Sequence, residues 1–135
     1  MADLDVMMML STQPVEGEVP ALANGAEPVD IWRARNFIHQ HFADQLSLGG
    51  VAKAAGISPG HLSEKFRQIT GVNFVDYVSR VRIERACERL ENGDARISEI
   101  AFEVGFQSLS QFNRVFKRLS GKSPTEYRAA LLARR

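Results

Sequence analysis

Ile97-Ser98-Glu99-Ile100-Ala101-Phe102-Glu103-Val104-Gly105-Phe106 is the stretch from which the fold can be read, because its pattern occurs twice in the chain. Leu48, Val51, Ala52, Gly56 and Ile57 stand 49 residues before Ile97, Ile100, Ala101, Gly105 and Phe106. One inserted residue then raises the offset to 50, and Ser58, Leu62, Phe66 and Gly71 fall on Ser108, Phe112, Phe116 and Gly121. Each copy reads as a short helix, a turn at glycine, and a longer helix opened by a serine cap. The alanine sits where two helices cross closely. The glycine supplies the left-handed backbone of a tight turn. The apolar residue after it, Ile57 or Phe106, plugs the gap beneath the second helix. A two-helix unit with these roles at these offsets is a helix-turn-helix. A single match of this kind is a weak signal, whereas an internal repeat is a strong one.

Outward from the repeat the apolar spacing stays helical, and no stretch alternates in period two over a strand's length. The pattern predicts an all-α fold of about seven helices, and two helix-turn-helix units in it imply a homeodomain-like resemblance. The first covers about 30–43, with Asp30 as N-cap and Trp32, Phe37, Ile38 and Phe42 in one stripe. The others fall at about 48–55, 59–70, 73–92, 97–104, 109–120 and from Ser123 to about 132. Ser58-Pro59, Ser108 with Gln111, and Ser123-Pro124-Thr125-Glu126 are helix-start signatures. The first helix-turn-helix thus covers about 47–71, the linker helix about 73–92 and the second helix-turn-helix about 97–121.

Composition bounds the rest. The chain has 135 residues, 44% of them hydrophobic and 24% charged, as expected of a globular protein. No apolar run approaches the ~20 residues that cross a bilayer, and no basic-then-apolar leader opens the sequence. The single cysteine, Cys87, excludes a disulfide framework. The net charge of +1 hides a separation. Residues 1–30 hold six acids and no Lys or Arg, so residues 31–135 carry 17 basic against 10 acidic residues, a net of +7. The first 30 residues also hold three of the five prolines and no aromatic residue. Residues 1–29 therefore read as an acidic tail or linker, with Val6–Leu10 the one apolar run, and 30–135 as the working domain.

Ile97, Ile100-Ala101, Gly105-Phe106, Phe112, Phe116-Lys117, Gly121, Ser123-Pro124 and Tyr127-Arg128 together closely resemble the signature of the AraC/XylS family of bacterial transcription regulators. Arg82-Ile83, Ala86 and Leu90 resemble that family's linker-helix pattern. The resemblance covers about residues 31–132. It implies two helix-turn-helix subdomains joined by a long helix, binding DNA as an activator or repressor in the bacterial cytoplasm, at the nucleoid. The family's usual sensor domain has no counterpart in the 30 residues before the match. A single-domain member and the DNA-binding part of a larger regulator with an upstream sensor domain both fit. A linker helix of about 20 residues spans ~30 Å. Successive major-groove faces on one side of B-DNA lie ~34 Å apart. One copy of the chain thus has the reach to place two recognition helices in adjacent grooves.

On the sixth helix Phe112, Phe116 and Leu119 form the core stripe, while Ser110, Asn113, Arg114 and Lys117 share another face at i, i+3, i+4 and i+7. Arg114 and Asn113 are the first candidates for base reading, since Arg pairs with guanine and Asn with adenine through two hydrogen bonds. Gln111 and Ser110 stand behind them. Lys117 is placed for a phosphate, as are the cap serines Ser58 and Ser108. The repeat puts Gly60, Ser63, Glu64 and Arg67 on the matching face of the third helix, with His61 beside them. Glu64 occupies the place of Arg114. It either accepts from a cytosine amino group or is a surface acid with Arg67, otherwise a phosphate contact, as its pairing partner.

The remaining candidates read as structural. His39 and His41 lie two apart on a helix and point away from each other, a poor metal pair. Cys87 fits a buried stripe with Ile83, Ala86 and Leu90. Arg82 fits a bracing role, and the eight Phe fall at core spacing rather than as a stacking platform for single strands. No phosphate loop, carboxylate pair or Ser/His/Asp grouping argues for an enzyme, and no cofactor or metal is implied. Two functions stay open. One is a sequence-specific regulator of double-stranded DNA, with RNA polymerase as a partner. The other is a helical protein-interaction module that docks on polymerase or a partner regulator.

Overall fold

The structure, a computed structural model, describes residues 28–134. The acidic tail and Val6–Leu10 lie outside the described residues. Seven helices follow one another: α1 (Val29–His41), α2 (Leu48–Ala55), α3 (Pro59–Thr70), α4 (Phe74–Glu91), α5 (Ile97–Glu103), α6 (Leu109–Ser120) and α7 (Pro124–Ala133). Among the described residues there is no strand. The described chain falls into two compact units, residues 28–78 and 79–134, and α4 runs from one into the other.

In the first unit, the cap expected at Ser58 is made: it accepts from the His61 N–H. Ser47 caps α2 in the same way, accepting from the Gly50 N–H. Gly56 ends α2 at φ 79° and Gly71 ends α3 at φ 84°, angles that a side chain would strain. Thr70 closes α3 by donating its hydroxyl to the Phe66 carbonyl at 2.7 Å. Ile31, Ala34 and Ile38 of α1 are buried, together with Val51, Ala52, Leu62 and Phe66.

The second unit repeats these devices. Ser108 accepts from the Gln111 N–H, Gly121 ends α6 at φ 83°, and Ser120 donates to the Phe116 carbonyl at 2.7 Å. Ser123 and Glu126 make both bonds of a capping box at the start of α7. The backbone N–H of Ser123 holds the Glu126 carboxyl below the usual carboxylate range.

The repeat extends beyond the two helix-turn-helix segments. Tyr77 and Tyr127 stand 50 residues apart, and each ring meets the buried phenylalanine of its unit nearly edge-on, Tyr77 on Phe66 at 4.9 Å and Tyr127 on Phe116 at 5.6 Å. Each hydroxyl then reaches two residues four apart on the helix that precedes the motif. Tyr77 accepts from Arg35 Nε at 3.0 Å and shares a hydrogen bond with His39 Nε2 at 3.0 Å. Tyr127 donates to Glu91 Oε1 at 3.0 Å, with the Cys87 thiol beside its hydroxyl. Ile31, Ala34 and Ile38 on α1 correspond to Ile83, Ala86 and Leu90 on the later turns of α4, all buried. Each unit is thus a leading helix, a helix-turn-helix and a tyrosine that ties the two.

Several expectations are corrected. Pro28, not Asp30, precedes the first helical residue: its carbonyl accepts from the Trp32 N–H. Asp30 lies within the first turn, where it accepts from Lys65 Nζ at 2.8 Å. Burial pushes its carboxyl up, but Lys65 outweighs this and holds it below the usual range. Trp32 and Ile38 are buried, but Phe37 and Phe42 are half-buried, with Phe37 lying against the His41 ring at 4.4 Å. Ile57 is half-buried where its counterpart Phe106 is buried. Cys87 sits at the edge of the α4 stripe rather than inside it and is half-buried. Phe102 breaks the core spacing of the phenylalanines and is 55% exposed, since Ile100, Ala101 and Val104 take the buried face of α5.

Candidate nucleic-acid interface

The surface of α6 is set by its buried side. Phe112, Val115, Phe116 and Leu119 fill the interior at i, i+3, i+4 and i+7. That leaves Ser110, Gln111, Asn113, Arg114 and Lys117 exposed. Phe106 holds the helix from below, its ring 5.4 Å from Phe112. Ser110, Asn113, Arg114 and Lys117 share one face, while Gln111 stands on its flank above the cap. Ser108 accepts from the Gln111 backbone, and its hydroxyl keeps a hydrogen to donate. Lys122, exposed just past Gly121, adds a cation at the far end of the helix.

In the first unit, Leu62, Phe66 and Thr70 face inward from α3, and Ser58, Gly60, His61, Ser63, Glu64 and Arg67 are exposed. A β-carbon at Gly60 would meet nothing within 4 Å, so packing does not require glycine there. No ion pair joins Glu64 to Arg67 among the described residues. Lys65, the remaining cation of α3, is turned away to Asp30. The two exposed faces therefore carry different chemistry: Asn113, Arg114 and Lys117 on one, Ser63, Glu64 and Arg67 on the other.

Other conspicuous groups hold the scaffold. Arg82 lies over the Phe106 ring at 5.8 Å, and burial pulls its guanidinium below its ordinary pKa. Arg128 donates to the carbonyls of Ala95 at 2.8 Å and Gly93 at 3.4 Å, fixing the loop between α4 and α5. Arg89 is paired with Glu103 at 2.9 Å. His39 is buried against Tyr77. The role of Tyr77 is missed by the repeat as first drawn. Carrying the alignment past Gly71 and Gly121 to Asn73/Ser123, Asp76/Glu126 and Tyr77/Tyr127 finds it. No group of three His, Cys, Asp or Glu able to hold a metal occurs among the described residues. No described helix is long and apolar enough to cross a membrane.

Known proteins share this arrangement. A family profile described as a helix-turn-helix domain matches residues 51–130. An uncharacterised HTH-type transcriptional regulator of Staphylococcus aureus is 38% identical over 93 residues, 69% of this chain and 12% of its own length. The Escherichia coli HTH-type regulator YijO is 34% identical over 94 residues, 70% of this chain and 33% of its own length. The chain thus spans only a small part of the curated relatives it matches. Among solved structures, the C-terminal domain of AraT, a response regulator from Geobacillus stearothermophilus, is 35% identical with a TM-score of 0.73, over 76% of this chain and 86% of that one. The DNA-binding domain of AdpA, a global transcriptional factor solved with a target DNA, is 29% identical with a TM-score of 0.75, over 78% of this chain and 96% of that one. Family, helix order and repeat agree, and the chain belongs to the AraC-type helix-turn-helix family of DNA-binding domains.

Proposed function

We propose that this chain is the DNA-binding part of a bacterial transcription regulator, one that lays α6 and α3 in adjacent major grooves of double-stranded DNA. The observation that carries the reading is the exposed face of α6, where Asn113, Arg114 and Lys117 stand on a helix fixed by four buried residues and a serine cap. Arg114 and Asn113 read base edges, with Gln111 and Ser110 beside them, and Lys117 and the Ser108 hydroxyl hold phosphates. On α3, Ser58 and Arg67 hold phosphates. Gly60, His61, Ser63 and Glu64 face the bases, but the Glu64 carboxylate is repelled by the flanking phosphates and leaves base selection mainly to α6. The 18 residues of α4 extend about 27 Å, on the scale of the ~34 Å groove repeat, which supports two contacts from one copy. The greater length of the relatives supports a sensor domain outside this chain, and RNA polymerase is the partner that regulation requires.

The test is a titration of the chain against mixed-sequence duplex at several salt concentrations. Residues 31–135 carry a net +7, so the logarithm of affinity should fall steeply and linearly with that of salt as neutralised phosphates release counterions. Affinity that stays flat between low and physiological salt would overturn the reading.

A further inference from the structure

Leu109 is the first residue of α6 and is 39% exposed, although a helix start here needs no apolar side chain. Ser108 already caps the helix, and the core beneath is filled by Phe106, Phe112 and Phe116 without Leu109. The matching residue of the first unit is Pro59, a rigid helix-starter whose choice the cap explains by itself. Helical side chains lean toward the N-terminus, so a residue at this position overhangs the tip of the helix. Leu109 precedes Asn113 by one turn and thus borders the Ser110, Asn113 and Arg114 face. The other exposed large apolar residues, Ile69, Val75, Phe102 and Leu132, lie on other helices.

A helix-turn-helix reads bases with the N-terminal residues of its second helix. The only apolar group a base edge offers in the major groove is the thymine methyl. We propose that Leu109 is a specificity-determining residue that covers the methyl group of one thymine in the half-site bound by α6. The assignment rests on the DNA-binding reading above. It gives the second unit an apolar contact in addition to the hydrogen bonds of Asn113 and Arg114, and no polar partner is needed.

The test removes the methyl alone. The wild-type chain first selects its site from random duplexes. Each thymine of that site is then replaced in turn by deoxyuridine, which keeps every hydrogen-bonding group. One replacement should weaken binding about fourfold, the factor that burying a single CH2-sized group carries. Leu109→Ala should bind the thymine site about as weakly as wild type binds the deoxyuridine site, and should not distinguish the two. Leu109→Met, still apolar and long, should keep part of the discrimination. Leu109 is exposed and outside the core, and unchanged thermal unfolding of both variants would confirm that the fold is intact. An enriched site at which no thymine methyl matters, or one whose sensitivity survives in Leu109→Ala, overturns the assignment alone. A selection that enriches no sequence brings down the DNA-reading itself, and Leu109 with it.

Discussion

Phe66 and Phe116 stand 50 residues apart, both fully buried, each with a tyrosine ring set nearly perpendicular to it, yet the helices that carry them show solvent different chemistry. Inside, the two units agree down to the hydroxyl that closes each recognition helix, Thr70 in one and Ser120 in the other. Outside, Arg114 is replaced by Glu64 and Asn113 by Ser63. Packing fixes a residue by shape, because a buried aromatic touches many neighbours and tolerates little change. An exposed face has no such constraint and is free to follow its ligand. The interior sets where each helix lies, and on the proposed reading the exterior sets what each helix meets.

The shared interior gives the largest expected effects. Phe66→Ala and Phe116→Ala should each cost about 3–5 kcal/mol of unfolding free energy in urea titrations. A large loss at one site and a negligible one at the other would break the equivalence of the two cores. The tyrosine ties sharpen it. Tyr77 is fully buried and its hydroxyl serves Arg35 and His39, so Tyr77→Phe should cost about 1–3 kcal/mol. Tyr127 is half-buried, so Tyr127→Phe should cost less, about 0.5–1.5 kcal/mol.

Cys87 distinguishes the second tie from the first. Burial pushes its thiol up from 9.0 to about 11 in the folded chain, while the unfolded chain ionises it near its ordinary value. The resulting stability is present below about pH 9 and is lost as pH rises toward 11. Unfolding curves over that window should be steeper in pH for the wild type than for Cys87→Ala.

The recognition faces give smaller effects. Lys117→Ala should weaken binding to all sequences about equally and lower the salt slope by about 1. Glu64→Ala should slightly strengthen binding to mixed-sequence duplex by removing a charge that repels phosphate. Equal losses from both substitutions would erase the contrast between the faces.

Most of the fold was legible because the repeat is written in residues that packing and turns dictate. Ala52/Ala101, Gly56/Gly105 and Ser58/Ser108 admit few substitutes, so spacing alone exposes the two motifs. Asp30 misled because a carboxylate near a helix start serves either as a cap or as an ion-pair partner, and only tertiary structure brings Lys65 to it. Cys87 and Phe102 misled because helical spacing gives the direction of a side chain but not what covers it. The candidate site was legible as a face on α6, since its buried side is unambiguous. Glu64 was not, because a lone acid reads equally as a surface charge or a cytosine acceptor.

On the proposed function, the second unit reads sequence through Arg114 while the first contributes mainly position. The direct measurement is a competition assay at fixed salt, in which wild type, Arg114→Ala and Glu64→Ala are each tested against every single-base variant of the selected site. Arg114→Ala should lose about 1–3 kcal/mol of discrimination at one guanine and keep all other preferences, while Glu64→Ala should change none. Preferences untouched by Arg114→Ala, with one position erased by Glu64→Ala, would contradict it.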